Sequence, residues 1–124
     1  MNLHAYVAKI ALALPEVTVA QPFGADCDVY KVADKMFALA STHENQPMVN
    51  LKVEPDQGEL LRTSYDYIHP AWYMNKQHWV SVYDDDVLDL TLLEELIITS
   101  YELVVAKLKK VDKLRIASLR QQHE

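Results

Sequence analysis

Cysteine and glycine are both scarce in this 124-residue chain, and long apolar runs are missing. The one cysteine, Cys27, cannot form an internal disulfide, so we expect a reducing compartment, with the cytoplasm as the default. Two isolated glycines cannot build a glycine-rich phosphate loop. No segment approaches the ~20 consecutive apolar residues of a membrane-spanning helix. We therefore expect no disulfide scaffold, no nucleotide-binding loop and no association with a membrane.

Catalytic and metal-binding patterns are missing as well. The five histidines have no HExxH or similar spacing, and a single cysteine cannot build a cysteine-rich zinc site. A nucleophilic Cys27 would need a histidine and a third orienting group, which the sequence does not identify. We therefore expect a protein that is not an enzyme and that has no metal and no cofactor.

The composition that remains is that of a folded chain. Half of the residues are hydrophobic and 24% are charged, which is typical of globular and not of disordered sequences. A chain of this length can bury one hydrophobic core without staples. We expect a single domain over residues 1–124, with a basic helical tail over residues 107–124.

Charge is distributed unevenly along the chain. The net charge is −6, yet residues 107–124 hold six basic and two acidic side chains, so the tail carries +4 and the preceding 106 residues carry −10. This acidic body excludes a protein that binds nucleic acid over its whole surface. The tail is either a phosphate-binding segment or a solvated helix end whose lysines complement the helix dipole.

The first half of the chain predicts a helix followed by three strands. Apolar residues at helical spacing follow Asn2, a suitable N-cap, and Pro15 ends the pattern. Two β-rich runs on either side of residues 33–35 predict a tight hairpin. After a polar break, residues 48–53 alternate, so that one face of this strand enters the core and the other carries Asn50 and Lys52.

The second half predicts a helix, a strand and a long helix. Pro55 suits the first position of a helix, in which Gly58 costs about 1 kcal/mol relative to alanine. Residues 78–83 predict a strand, and Thr91 with Glu94 predicts a capping box for the long helix that covers the sheet. The order predicts an α+β fold, a two-layer sandwich of an antiparallel sheet flanked by helices.

A dense group of aromatic residues occupies the segment from Pro70 to Tyr83, PAWYMNKQHWVSVY. Together with VYKVADKMFALAS, VNLKVEP followed by ELLR, and ITSYELVVAKL, this segment resembles the MmcQ/YjbR family of small bacterial proteins. The resemblance covers about residues 15–108, and the run from Met74 to Trp79 is its most specific part. In this family an aspartate more often precedes the helix-starting proline, so Glu54 is expected to be a weaker cap here.

The resemblance implies a fold like that of the bacterial frataxin homologue CyaY, also described as a double wing, and a role in binding DNA. On this hypothesis lysines contact phosphates, while aromatic rings stack on bases or enter a groove. The candidate DNA-binding residues are Asn50, Lys52, Trp72, Tyr73, Asn75, Lys76, Lys109, Lys110 and Lys113.

Two alternatives to DNA binding stay open. Trp72 and Tyr73 can instead form an aromatic surface that binds a protein or a small ligand, and an apolar pocket beside these rings without a basic rim would favour this reading. The run Asp84-Asp85-Asp86 is a weaker candidate for binding iron or calcium, because adjacent aspartates are usually a solvated turn. Lys76 has an alternative too, the closing of a turn by a bond to a carboxylate or a carbonyl.

Overall fold

A computed structural model describes residues 2–123 of the chain, with side chains described for residues 2–121. These residues form four helices and six strands. In chain order the elements are α1 (Leu3–Leu12), β1 (Val17–Ala20), β2 (Asp28–Val32), β3 (Lys35–His43), β4 (Gln46–Lys52), α2 (Pro55–Ser64), β5 (Ile68–Pro70), β6 (Trp79–Tyr83), α3 (Leu90–Val105) and α4 (Lys110–His123).

The six strands form one antiparallel sheet in the order β1-β2-β3-β4-β6-β5. Ala38, Leu51 and Val80 lie opposite one another on neighbouring strands and share a buried cluster with Leu93 and Ile97 of α3. Residues directly opposite in a sheet lie on the same face, so this is the face that the helices cover. The predicted α+β sandwich of two layers is confirmed.

The predicted hairpin is confirmed and its turn is tight. Ala33 and Asp34 both have positive φ angles, 48° and 64°, which is the geometry of a two-residue turn matched to the twist of the flanking strands. Glu44 and Asn45 repeat this geometry with φ angles of 50° and 66°. The second turn is shorter than the polar break that the sequence suggested, because β3 runs on to His43.

Two short strands at the sheet edges escaped the sequence analysis. β1 pairs with β2 at one edge, and β5, only three residues long, pairs with β6 at the other. A strand of three or four residues carries too little alternation to be recognised, and its extended form depends on the strand beside it. The sheet is therefore wider than the four strands that the sequence indicated.

The first residues of α1 and α2 agree with the sequence predictions, whereas the first residue of α3 differs from the prediction. The Asn2 side chain accepts a hydrogen bond from the Ala5 amide, and α2 begins at Pro55 without a cap from Glu54. The capping box predicted at Thr91 is wrong, because α3 begins at Leu90 and its N-cap, Asp89, lies two residues before Thr91. The Asp89 carboxylate accepts from the amides of the next turn and takes the role of cap.

Residues 110–123 of the basic tail form helix α4, which is docked on the helical layer. Ile116 is buried in the main hydrophobic cluster, and the Arg120 guanidinium lies 5.0 Å from the ring centroid of Tyr101. Arg115 adds a bond from Nε to the Glu16 carboxylate at 2.6 Å. No helix within residues 2–123 is both long and apolar enough to cross a membrane.

Candidate functional site

The sheet face opposite the helices, called the open face here, is covered by two loop segments. Val29, Leu39, Asn50, Ser81 and His69 lie opposite one another in a row across five strands of this face. Val29 and Leu39 are buried although they lie outside the core cluster beneath the helices. The open face therefore has its own packing, supplied by residues 22–27 and by the aromatic loop, residues 71–78.

A closed cycle of three hydrogen bonds, called the polar latch here, holds the aromatic loop on the sheet. Asn50 Nδ2 donates to the Trp72 carbonyl at 2.9 Å, and the Trp72 amide donates to Ser81 Oγ at 3.2 Å. Ser81 Oγ in turn donates to Asn50 Oδ1 at 2.5 Å. The side chains of Asn50 and Ser81 are fully buried. Loss of any bond of the latch would therefore leave a buried polar group without a partner, which costs stability.

The latch supports an unusual backbone at Tyr73. This residue has a φ of 65°, in the left-handed region that a bulky side chain rarely adopts, and its ring is 84% exposed. Neither local preference nor burial of the ring explains this conformation. Strained residues cluster at functional sites, so Tyr73 is a candidate for a functional residue.

Trp72 lies flat on the side chain of His43. The two ring centroids are 4.0 Å apart with an interplanar angle of 27°, and the indole stays 40% exposed. Lys76 Nζ donates to the Ala71 carbonyl at 2.8 Å and lies 5.8 Å from the Trp72 ring centroid. Lys76 thus bonds a carbonyl of its own loop, and its ammonium helps to shape the turn that presents Trp72.

An apolar cavity of ≈ 530 Å³, the open-face groove, lies between the two covering segments. Its floor is formed by sheet residues such as Leu39 and Met36, and its walls by Phe23 on one side and by Tyr73 and Met74 on the other. The Phe23 ring is 75% exposed. Cavities of this volume with mostly apolar walls are typical small-ligand sites.

Besides Tyr73 with its hydroxyl, three polar side chains line the groove, namely Cys27, Lys31 and Ser41. Burial raises the pKa of the Cys27 thiol, a hydrogen bond with Ser41 lowers it less, and the charge of Asp28 raises it further. The thiol therefore stays protonated at neutral pH and is a poor nucleophile. Lys31 forms no ion pair with any other residue of the described part of the chain.

The structure does not join the candidate DNA-binding residues into one surface. Asn50 is completely buried in the latch, and Asn75 Oδ1 accepts from the Gln77 amide within the loop. Lys52 shares a depression of ≈ 250 Å³ with Lys35 and Lys107, which adjoins the groove only through Met36. Burial lowers the pKa of Lys52, and the charge of Lys107 lowers it further, against a smaller opposing effect of Glu54.

The tail lysines lie at one end of α4. Lys109 precedes the helix, Lys110 begins it, and Lys113 follows on the next turn, all with exposed side chains. They are separate in position from the aromatic loop that carries Trp72 and Tyr73. Lys107 lines the depression around Lys52 and is two residues before Lys109. The tail lysines therefore follow this depression directly in the sequence.

The acidic turn forms a polar depression of ≈ 380 Å³ at Asp84, Asp85 and Asp86. Asp85 Oδ1 accepts from the Val87 amide at 2.9 Å, which is a local turn bond. Across residues 2–121 no three His, Cys, Asp or Glu side chains converge in a way that would hold a metal ion. The alternative of iron or calcium binding at this turn therefore has no support in the geometry.

Sequence reasoning missed most of the groove. Phe23, Lys31, Met36, Leu39 and Met74 were not singled out, because they come from three separate stretches of the chain. The one available signal was Phe23, the only large apolar residue in the segment QPFGADC. Tyr73, which the sequence analysis singled out, is exposed at the rim of the groove.

Comparison with known proteins places the chain among relatives of similar size. A family model described as YjbR matches residues 12–103. The chain is 40% identical over 115 residues to the uncharacterised protein YbdF of Escherichia coli O157:H7, covering 93% of this chain and 94% of that one. It is 39% identical over 75 residues to the uncharacterised protein YjbR of Escherichia coli K12, covering 60% of this chain and 64% of that one.

Two solved structures share the fold. The crystal structure of Deinococcus radiodurans protein DR2400, with a DUF419 domain, aligns with a TM-score of 0.81 and 32% identity over 90% of this chain and 85% of that one. A crystal structure of a protein from Pseudomonas syringae aligns with a TM-score of 0.71 and 25% identity over 83% of this chain and 98% of that one. The helix-backed sheet is thus common to these proteins.

Proposed function

The chain belongs to the YjbR family, and we propose that it is a non-enzymatic protein that binds a small ligand in the open-face groove. The observation that carries this proposal is the ≈ 530 Å³ apolar cavity beside Tyr73, whose ring is held outward by a strained backbone and a buried polar latch. An apolar pocket beside the aromatic rings without a basic rim is the feature that separates ligand binding from DNA binding. Lys31 is the one cation in the lining.

The polar groups of the groove favour binding over catalysis. A nucleophile needs an adjacent base or a lowered pKa, whereas the pKa of Cys27 is raised. Ser41 has no histidine or carboxylate with it in the groove lining. The half-buried, unpaired thiol also supports a reducing location, for which we propose the cytoplasm.

Methionine methyl groups offer a direct test. Met36 and Met74 line the groove, whereas Met48 is fully buried and lies opposite Ser41 on the same sheet face without lining the groove. In a protein with ¹³C-labelled methionine methyls, titration with the neutral apolar probe N-phenyl-1-naphthylamine should shift the signals of Met36 and Met74 more than that of Met48.

A variant at the rim completes this test. Tyr73→Ala removes an exposed ring without opening the core and should weaken probe binding about five- to tenfold, since one aromatic contact is worth about 1 kcal/mol. Leu60→Ala, which truncates an exposed apolar side chain on α2, is the control and should bind like the parent. Equal shifts of Met36, Met48 and Met74, or no shift at all, would refute the groove as the binding site.

DNA binding is the second candidate function, and the depression shared by Lys35, Lys52 and Lys107 favours it. Lys109, Lys110 and Lys113 extend positive charge from this depression along the start of α4. Each phosphate that lysines neutralise adds affinity that falls steadily with salt. The acidic remainder of the chain would have to face away from the nucleic acid.

Fluorescence anisotropy of labelled duplex and single-stranded DNA at low and near-physiological salt tests this candidate. If the protein binds DNA, the logarithm of its affinity should fall linearly with the logarithm of the salt concentration, and this slope should become shallower in a Lys52→Gln/Lys107→Gln double variant. The slope should be unchanged in the control Lys9→Gln, which replaces a lysine exposed on α1. Absence of binding at low salt would eliminate DNA and leave the small-ligand function alone.

A further inference from the structure

We propose that the ligand of the open-face groove is an amphipathic organic anion, a small molecule with an aromatic or short aliphatic body and one anionic group that is bound by Lys31. This inference rests on the proposed small-ligand function and names the chemical class of that ligand. It comes from the charge, the hydrogen-bonding capacity and the size of the groove lining.

The charge in the groove is positive although the protein as a whole is acidic. Lys31 is the one charged side chain in the lining, in a chain with a net charge of −6. Among the residues that the structure describes it has no carboxylate partner. A half-buried lysine without a partner is best compensated by an anion, because the apolar walls weaken screening by water.

The nearest acidic residue on the same strand is directed elsewhere. Asp28 lines a different depression, together with Tyr30 and Ala8, on the side of the sheet that bears the helices. Its Oδ1 accepts a hydrogen bond from Gln21 Nε2 at 2.8 Å. Asp28 therefore does not occupy the place that an anionic ligand would take at Lys31.

The other two polar groups in the lining are able to donate hydrogen bonds. Ser41 carries a hydroxyl, and Cys27 carries a thiol that its raised pKa keeps protonated. Because Cys27 and Ser41 hydrogen-bond each other, one of their two hydrogens is left for a ligand such as a carboxylate, whereas an ammonium would find no acidic acceptor in this lining. The polar lining of the groove thus selects against cations.

The size and the walls of the groove define the body of the ligand. A volume of ≈ 530 Å³ lies within the range of sites for drug-sized molecules. The rings of Phe23 and Tyr73 present faces for stacking, and Met36 and Met74 can adapt to irregular apolar shapes. We therefore expect a compact apolar body, with the anionic group at the Lys31 end.

A matched pair of fluorescent probes separates the anion from the apolar body. N-phenyl-1-naphthylamine is neutral, and 1-anilinonaphthalene-8-sulfonate has the same rings with one negative charge. The anionic probe should bind about tenfold more tightly than the neutral one, which is the usual effect of one hydrogen bond to a charged group. Lys31→Gln should remove this preference, and the control Lys9→Gln should retain it.

The outcomes distinguish the inference from the function on which it rests. Equal affinity of the parent protein for both probes, or a sulfonate preference that survives Lys31→Gln, would overturn the anionic class and leave the groove as a binding site. No binding of either probe would remove the proposed function itself. Near-ultraviolet circular dichroism checks that each variant keeps its tertiary packing. This control excludes variants in which the probe binds a loosened core instead of the groove.

A second pair of ligands extends the test to aliphatic bodies. Octanoate should displace the bound sulfonate probe from the parent protein, and octan-1-ol at the same concentration should displace about tenfold less. Equal displacement by the two would contradict a role for Lys31 in selecting anions. The Met36 and Met74 methyl signals report in the same samples whether the competitor enters the groove.

Discussion

Replacement of Asn50 by alanine should destabilise the protein and loosen the aromatic loop. The substitution removes the donor to the Trp72 carbonyl and the acceptor for the Ser81 hydroxyl, at distances of 2.9 and 2.5 Å. Each buried group left without a partner costs about 1–3 kcal/mol. The free energy of unfolding should therefore fall by about 2–5 kcal/mol, a large share of the ~5–15 kcal/mol typical of a domain.

Urea denaturation followed by circular dichroism measures this loss. The parent and the variant should have the same slope of unfolding free energy against urea concentration, so that the difference in midpoint reports the difference in stability. Gln77→Ala is the matched control, because it removes an exposed amide from the same loop and should alter stability by less than about 0.5 kcal/mol. The Met74 methyl signal should broaden in Asn50→Ala, since Met74 belongs to the loop that the latch holds.

A double-mutant cycle with Ser81→Ala examines the latch itself. If Asn50 and Ser81 act through one hydrogen-bonded cycle, the two losses should fall short of additivity by about 1 kcal/mol or more. A loss below about 1 kcal/mol for Asn50→Ala, or strict additivity in the cycle, would show that the loop is held by packing of Trp72 on His43 and not by the latch.

Three further predictions concern other parts of the molecule. Gly58→Ala should lower the free energy of unfolding by about 1–3 kcal/mol in spite of the better helix propensity of alanine, because the new Cβ would lie 2.9 Å from Val53 Cγ2. A variant that is more stable than the parent in urea would contradict this close packing. The rate of alkylation of Cys27 should reach half of its maximum at a pH above the ~8.5 of a free thiol, since burial raises the pKa of Cys27 and the reactive thiolate forms only at higher pH. A midpoint at or below that of a cysteine peptide would disprove the burial. Ile116→Ala should cost about 2–4 kcal/mol and speed hydrogen exchange in α4, whereas unchanged exchange would mean that this helix is held by other contacts.

The architecture was largely readable from local patterns. The hairpin at Ala33-Asp34, the helix start at Pro55 and the strand alternation around Asn50 all follow from preferences within a few residues, and the structure has each of them. The capping box at Thr91 failed because Asp89, two residues earlier, offers a competing cap of equal quality. Local chemistry allows both starts, and the structure uses Asp89.

The candidate site was far less accessible from the sequence. The groove combines Phe23, Lys31 and Tyr73, and no local pattern reports contacts between residues so far apart in the chain. Asn50 illustrates the difficulty, because the alternation of β4 placed it correctly on the polar face. Only the register with Ser81 and the return of the loop show that it is buried.

The alternation of side chains along β3 divides two tasks between neighbouring residues. Ala38 and Ala40 point into the interior beneath the helices, while Leu39 and Ser41 point into the open-face groove. Substitutions at every second residue of this strand can therefore change the lining of the groove while the interior beneath the helices stays intact. For proteins built in this way, shared ancestry is a reliable guide to shape and a poor guide to what each one binds.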